Sequence, residues 1–188
     1  MMMRAEPARL EVLWQRLLFC LHKPRVFRDF AISLNLSGDE QVMDYMCGMG
    51  GIAFFTAKRL SRGQLVCVDA SQRLIKACRR TLRRYEGVDV CLMDEPRLES
   101  GSFDLIYTHF TLYRLPPDEL TWVMERIAGW LKPGGMLLLR EPMYAYERLK
   151  QIKLLAGQYG LMLQNSRVTD AARLGNVLEC LYKRNEEK

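Results

Sequence analysis

The residues of this chain best placed to do chemistry are two acids and the glycines between them. Asp44 closes the apolar lead-in Val42-Met43, and Gly48, Gly50 and Gly51 follow in a tight turn before Ile52 to Leu60, which reads as a helix. Glycine lets the main chain take conformations closed to other residues and lets a ligand come close to it. The helix start adds unpaired N–H donors. A second apolar run, Leu65-Val66-Cys67-Val68, ends at Asp69, 19 residues beyond Gly50. In a Rossmann-like unit a carboxylate there can take both hydroxyls of a ribose. The combination points to a nucleotide-like ligand; a structural turn with a surface acid is the plain alternative.

Charge separates the candidate nucleotides. Gly48-Met49-Gly50-Gly51-Ile52-Ala53 also satisfies the Gly-x-Gly-x-x-Gly/Ala fingerprint of nicotinamide-dinucleotide binders. Asp44, just before the turn, sits badly beside a pyrophosphate and suits a ligand that carries an ammonium group. On these residues the chain resembles the class I S-adenosylmethionine-dependent methyltransferases, close in pattern to the small bacterial, methyltransferase domain 11-like type with the signature Asp-x-Gly-x-Gly-x-Gly. Phe103 to His109 is similar to that family's fourth strand, and Leu131-Lys132-Pro133-Gly134-Gly135 to its Leu-Lys-Pro-Gly-Gly turn. The resemblance runs from Phe27 to the C-terminus. It departs at Met46, where the signature has its first glycine, and at Leu112-Tyr113-Arg114-Leu115, where relatives commonly carry Leu-His-His-Leu.

The resemblance implies S-adenosyl-L-methionine as cofactor and a small-molecule methyl acceptor. It assigns Asp44 to the ligand's ammonium group, the main chain of Met46 and Gly48 to the methionyl part, Gly50 to the turn beneath, Asp69 with Ala70 to the ribose, and Met93 and Asp94, beside Glu95, to the adenine. His109 aligns with the residue that abuts the reacting centre. Methyl transfer from a sulfonium is an in-line displacement in which positioning supplies most of the rate, so no nucleophilic triad is required. For an oxygen acceptor that must lose a proton, His109 is the best base on its side-chain pKa, with Tyr107, Tyr113 and Glu141 behind it. A positioning role for His109 without proton transfer stands beside that reading. Tyr113 and Arg114 are candidate substrate contacts. The faces of Tyr107, Phe110 and Tyr113 suit a cationic donor, and equally suit a core.

With 188 residues, nearly half of them apolar, the chain is expected to form one methyltransferase domain over 1–188, with N-terminal helices in 1–36 covering the cleft and a Rossmann-like core over 41–184. No apolar run approaches a membrane span, and nothing near the N-terminus reads as a signal or transit peptide, so the expected location is cytoplasmic with no membrane contact. The cysteines at 20, 47, 67, 78, 91 and 180 lack Cys-x-x-Cys spacing and read as buried thiols; with only His22 and His109 available, no metal site is expected. The net charge of +6 gathers partly on one helix, where Arg73, Lys76, Arg79, Arg80, Arg83 and Arg84 lie opposite Leu74, Ile75, Cys78 and Leu82. A solvated face accounts for that as well as an RNA-binding one, and no aromatic residue interleaves the basic run. RNA methylation is thus possible but not favoured. A catalytically inactive, methyltransferase-like binding protein is a further alternative, motivated by Met46 and the absent histidine pair. The oligomeric state is left open.

The elements that must hold these residues form an α/β, Rossmann-like, doubly wound and mostly parallel sheet with a C-terminal antiparallel strand pair and helices on both faces. Strands are expected at Gln41–Met46, Gln64–Val68, Val88–Met93, Phe103–Thr108, Met136–Leu139, Leu161–Val168 and Val177–Tyr182. Ser71 is the expected N-cap of the basic helix and Gly87 ends it. A further helix opens at Pro116-Pro117-Asp118 with Leu120, Val123, Met124, Ile127 and Leu131 on one face, and another spans Tyr146 to Ala156. Two N-terminal helices, on Leu10 to Leu21 and Phe27 to Leu34, precede the first strand, and Trp14, Phe19 and Phe27 are candidates to line the substrate pocket. Only about ten residues separate the third and fourth strands, room for an extended crossover of roughly 33 Å at most but not for a helix.

Overall fold

The computed structural model describes residues 6–8, 10–13, 25–93, 99–171 and 175–186. The chain divides into two units, Met1–Pro96 and Arg97–Lys188.

In the first unit, the three apolar runs that end near an acid become parallel strands. β1 (Gln41–Tyr45), β2 (Gln64–Asp69) and β3 (Val88–Leu92) lie in the order β3-β2-β1. Their register sets Asp44 beside Cys67, Tyr45 beside Val68 and Asp69 beside Leu92. Runs without polar alternation suit strands covered on both faces, and Val42, Met43, Leu65, Cys67 and Val68 are all fully buried. Helix α1 (Arg25–Ser33) buries Phe30 and Ala31. Helix α2 covers only Ala53–Ala57, shorter than the expected Ile52–Leu60, because Arg59 N–H bonds the Thr56 carbonyl at 2.9 Å and tightens the last turn. Helix α3 (Gln72–Leu82) is capped as expected: the Ser71 hydroxyl accepts from Leu74 N–H at 3.2 Å. Its apolar stripe is buried, and part of its basic face is spoken for, since Arg79 donates to the Val90 carbonyl at 3.1 and 2.8 Å. Residues 10–13 are helical; Trp14, Phe19 and Cys20 fall outside the described residues.

The second unit holds β4 (Phe103–His109), α4 (Pro117–Trp130), β5 (Leu131–Pro142), α5 (Tyr146–Gln158), β6 (Leu161–Ala171) and β7 (Gly175–Arg184), with strand order β4-β5-β7-β6. β4 and β5 run parallel, with His109 beside Arg140; β7 pairs antiparallel with both β5 and β6. This is the antiparallel pair expected at the C-terminus, each strand extending a few residues further than the sequence suggests. Pro117 opens α4 with Asp118 and Glu119 in its first turn, where acids suit the positive end of the helix. Leu131, expected on the face of α4, is instead the first residue of β5.

The Leu131-Lys-Pro-Gly-Gly135 stretch is likewise not a free turn. It lies inside β5, where the pairing with β4 jumps from Phe103–Leu131 to Leu105–Met136. The extra residues are absorbed by an irregularity of the ladder. Gly134 takes φ +77°, and a Cβ on Gly135 would stand 2.9 Å from the carbonyl oxygens of both Lys132 and Phe103. Among the described residues no helix is long and apolar enough to cross a membrane.

Candidate functional site

The glycine turn of the first unit is built from β1 and β2 together. Cys47 N–H bonds the Val68 carbonyl at 2.9 Å, so the main chain stays tied to β2 after β1 has ended, and Gly50 N–H then closes on the Cys47 carbonyl at 3.0 Å. Each glycine answers a different demand. Gly48 takes φ +57° and faces open space; Gly50 takes φ +81°, and a Cβ there would lie 2.8 Å from Cys78 Sγ; a Cβ on Gly51 would lie 2.8 Å from the ring of Phe27. Openness above Gly48 is what close approach of a ligand requires.

Asp69 binds this turn to α3. It is fully buried, one carboxylate oxygen accepting from Gly48 N–H and the other from Ser71 N–H, both at 2.9 Å. Its position at the end of β2 ties the glycine turn to the first turn of α3. Asp44 is also buried, the penultimate residue of β1 before the bend. Met93 lies just past β3, buried, with its sulfur accepting from the Tyr45 hydroxyl at 3.3 Å and its N–H on the Asp69 carbonyl at 3.2 Å. Ala70 links Asp69 to Ser71. Asp94 and Glu95 fall outside the described residues. The structure thus gathers Asp44, Met46, Gly48, Gly50, Asp69, Ala70 and Met93 at one end of the β1–β3 sheet.

Met46 stands where the family signature has glycine, and it takes φ +59°. For a side chain with a Cβ the left-handed conformation costs about 1–2 kcal/mol, while glycine loses up to about 1 kcal/mol more chain entropy on folding. The Met46→Gly variant is therefore expected to gain up to about 1 kcal/mol. A urea melt showing a higher midpoint at unchanged slope checks it.

Sequence reasoning missed Glu6. Its carboxylate accepts from the Ser71 hydroxyl at 2.8 Å and from Gln72 N–H at 2.9 Å, and Arg73 reaches back to the Pro7 carbonyl at 2.8 Å. Residues 6 and 7 therefore lie on the first turn of α3, adjoining Asp69. Beneath the turn, Cys47 Sγ lies 3.9 Å from Cys78 Sγ. Of the three thiols there, proton loss falls first on Cys78, which accepts from Cys47 and Cys67 and has the Arg79 charge nearby. The thiols at 47, 67, 78, 91 and 180 are buried. Among the described residues no group of three or more His, Cys, Asp or Glu is arranged to hold a metal ion.

In the second unit, His109 ends β4. Burial and the Arg140 guanidinium beside it push its pKa down to about 3, so the ring stays neutral through the physiological range and is a weak base. Arg140 is itself paired with Glu179 at 3.0 and 2.6 Å, both side chains almost wholly buried, and Glu179 also takes Arg167 at 2.7 Å. Glu141 on β5 is fully buried. Burial raises its pKa to about 7 although its carboxylate accepts from Leu112 N–H at 2.8 Å and Thr111 N–H at 3.1 Å. Tyr113 sits in the short 3-10 turn Leu112–Arg114, with its hydroxyl taking Arg114 Nε at 2.7 Å and the Tyr144 hydroxyl at 3.2 Å; the two tyrosine rings meet edge to face at 5.9 Å. Tyr144 carried no signal in the sequence. Glu141 did, as an acid closing an apolar strand.

The two shifted groups set opposite pH dependences. The folded chain holds the Glu141 proton to about pH 7 whereas an unfolded chain loses it near 4.5, so stability falls as pH rises through that window. His109 takes a proton near 6.5 only when unfolded, so stability falls as pH drops from 6.5 toward 3. At 1.36 kcal/mol per pKa unit the Glu141 contribution spans about 3 kcal/mol and the His109 contribution about 5 kcal/mol. Between pH 4.5 and 6.5 the two slopes oppose each other, so in urea melts Glu141→Gln is expected to leave stability rising with pH across that range and His109→Gln to leave it falling.

With this geometry in view, the likeness to known proteins is informative. A family model described as "Methyltransferase domain" matches residues 42–135, half of the chain. Carboxy-S-adenosyl-L-methionine synthase of Pseudoalteromonas translucida is 29% identical over 116 residues, covering 59% of this chain and 48% of that protein. The chain spans about half the length of the curated relatives it matches. Among solved structures, a SAM-dependent methyltransferase from Methanosarcina mazei superimposes with TM-score 0.71 at 16% identity, over 83% of this chain and 97% of that one. Magnesium protoporphyrin IX methyltransferase from Synechocystis, solved with bound SAM, gives TM-score 0.67 at 17% identity, over 87% and 80%. These likenesses establish the fold: the Rossmann-like, mostly parallel sheet with its antiparallel C-terminal pair.

Proposed function

Because this chain belongs to the methyltransferase domain family, we propose that it transfers a methyl group from S-adenosyl-L-methionine to a small-molecule acceptor by in-line displacement. The observation that carries the reading is the Asp69 clamp, which joins the glycine turn and the start of α3 around one carboxylate at the end of β2. Bound S-adenosyl-L-methionine supplies an electrophilic methyl group on a sulfonium. Asp69 and Ala70 hold its ribose, Asp44 answers its ammonium group, and the main chain at Met46, Gly48 and Gly50 lies beneath its methionyl part. Met93 would edge the adenine. In the second unit, His109 acts as a neutral positioning ring and Tyr113 as an acceptor contact, for a histidine held near pKa 3 takes no proton from substrate at neutral pH.

Calorimetry with S-adenosylmethionine, S-adenosylhomocysteine and NAD, followed by transfer from labelled donor into a small-molecule extract, tests the proposal. Binding of the first two without NAD, together with label in a small molecule, is the expected result. Donor binding with no transfer identifies an inactive binding protein, and NAD binding alone overturns the donor assignment. A second reading, in which the donor itself is modified, is favoured by the name of the matched synthase. A mass change in recovered donor distinguishes it.

A further inference from the structure

Strand β6 is the open edge of the second unit. Its 11 residues pair along one side with β7 and, among the described residues, with no strand along the other. Most strands run to about five or six residues. Proteins blunt a long edge with proline, lysine or a charge, because its unpaired N–H and C=O groups invite another strand. Leu161 to Ala171 holds no proline, lysine or glycine. Every residue from 162 to 168 is exposed, so both faces of the strand meet solvent, and Met162, Leu163 and Val168 are 59%, 40% and 55% exposed. The charge in the middle of the strand, Arg167, is already answered by Glu179 at 2.7 Å.

Which strand fits this edge follows from the directions of its side chains. Residues opposite each other in an antiparallel pair project from the same face. Leu163 pairs with Tyr182, Ser166 with Cys180 and Val168 with Leu178, so Leu163, Ser166 and Val168 share a face, a bulge at Gln164 absorbing the odd residue between the first two. Counted this way, Leu163 and Val168 stand equally far from Ser166 on either side. A two-fold axis at Ser166 therefore sets Leu163 of each copy opposite the partner's Val168. Met162 then meets the partner's Thr169, Arg167 meets the partner's Gln164, and no like charges oppose each other. Other arrangements lose these matches. Parallel pairing in register sets Arg167 on Arg167 and Asp170 on Asp170, which repel. A slip by one residue turns the apolar face away, and a slip by two sets Leu163 against Ser166 or Asp170. The bulge, which ordinarily guards an edge by twisting it, recurs about the axis and so twists both edges alike.

We propose that β6 is a dimer interface for two copies of this chain, joined antiparallel about Ser166 so that the sheet of one protomer continues into its partner. The same strand serves on both sides, as a two-fold contact requires. Main-chain hydrogen bonds supply the pairing, and the two Leu163–Val168 contacts fix its register.

Sedimentation of the full chain over a concentration series tests the association. A monomer–dimer equilibrium is expected. Val168→Lys places a cation against Leu163 twice, and it is expected to raise the dissociation constant roughly tenfold or more while leaving the urea midpoint unchanged, since the site is exposed. Register is read by mixing the variants Leu163→Cys and Val168→Cys under oxidising conditions. Across the axis the two positions lie about 5 Å apart at Cα, within reach of a disulfide. Two copies of either variant alone hold the introduced thiols about 13 Å apart. A covalent dimer from the mixture, and from neither variant alone, is the expected result. A native chain that stays monomeric up to about 1 mM, or a dimer indifferent to Val168→Lys, overturns the inference. So does a mixture that gives no more covalent dimer than its separate components.

Discussion

Alanine at position 69 is expected to weaken S-adenosylmethionine at least tenfold and to cost about 2–4 kcal/mol of stability. The carboxylate lost in Asp69→Ala accepts from Gly48 and Ser71 amides in a fully buried setting. Hydrogen bonds to a charged acceptor are worth about 1.5–3 kcal/mol each, and water regains part of that at the more open Gly48 end. Asp69→Asn keeps one acceptor oxygen and should show roughly half the stability loss. Calorimetry and urea melts measure the two effects separately. Unchanged donor affinity in a folded Asp69→Ala chain would mean that the ribose does not sit on Asp69.

A still larger stability loss is expected at Glu179, far from any donor residue in sequence. Replacing Glu179 by alanine leaves the charge of Arg140 in the interior without the carboxylate that holds it at 3.0 and 2.6 Å, and also releases Arg167. Breaking one side of a buried ion pair typically costs about 3–5 kcal/mol, whereas replacing both members with apolar residues of similar volume is often neutral or stabilising. The double variant Arg140→Leu with Glu179→Leu is therefore expected to recover most of the loss. Arg140 also depresses His109, so the double variant should lift the His109 titration toward 6.5 in an NMR pH series. A His109 pKa that stays near 3 would assign the whole depression to burial.

The fold class was legible because it is written in local patterns: apolar runs of strand length, two of them closed by the acids Asp44 and Asp69, and helices with clear caps such as Ser71. What escaped depends on partners distant in the chain. Leu131 to Gly135 carries every mark of a turn, and only the Phe103 carbonyl close to Gly135 reveals why the glycines sit in a ladder instead. His109 looked like a base on its unperturbed pKa; its burial holds it neutral, helped by its register partner Arg140, 31 positions away in the chain. Glu6 meets the start of α3 across 65 residues. The ribose role assigned to Asp69 anticipated a ligand contact alone, and the weight it carries inside the protein came only with its two amide partners.

The aromatic ring of Phe27, pressed to within 2.8 Å of where a Gly51 methyl would stand, makes α1 the neighbour that feels any shift of the glycine bend. An alanine at 51 is thus a one-atom wedge driven between helix and bend. By the same token, a fluorinated phenylalanine at 27 is a built-in gauge, registering through its resonance whatever the bend takes hold of.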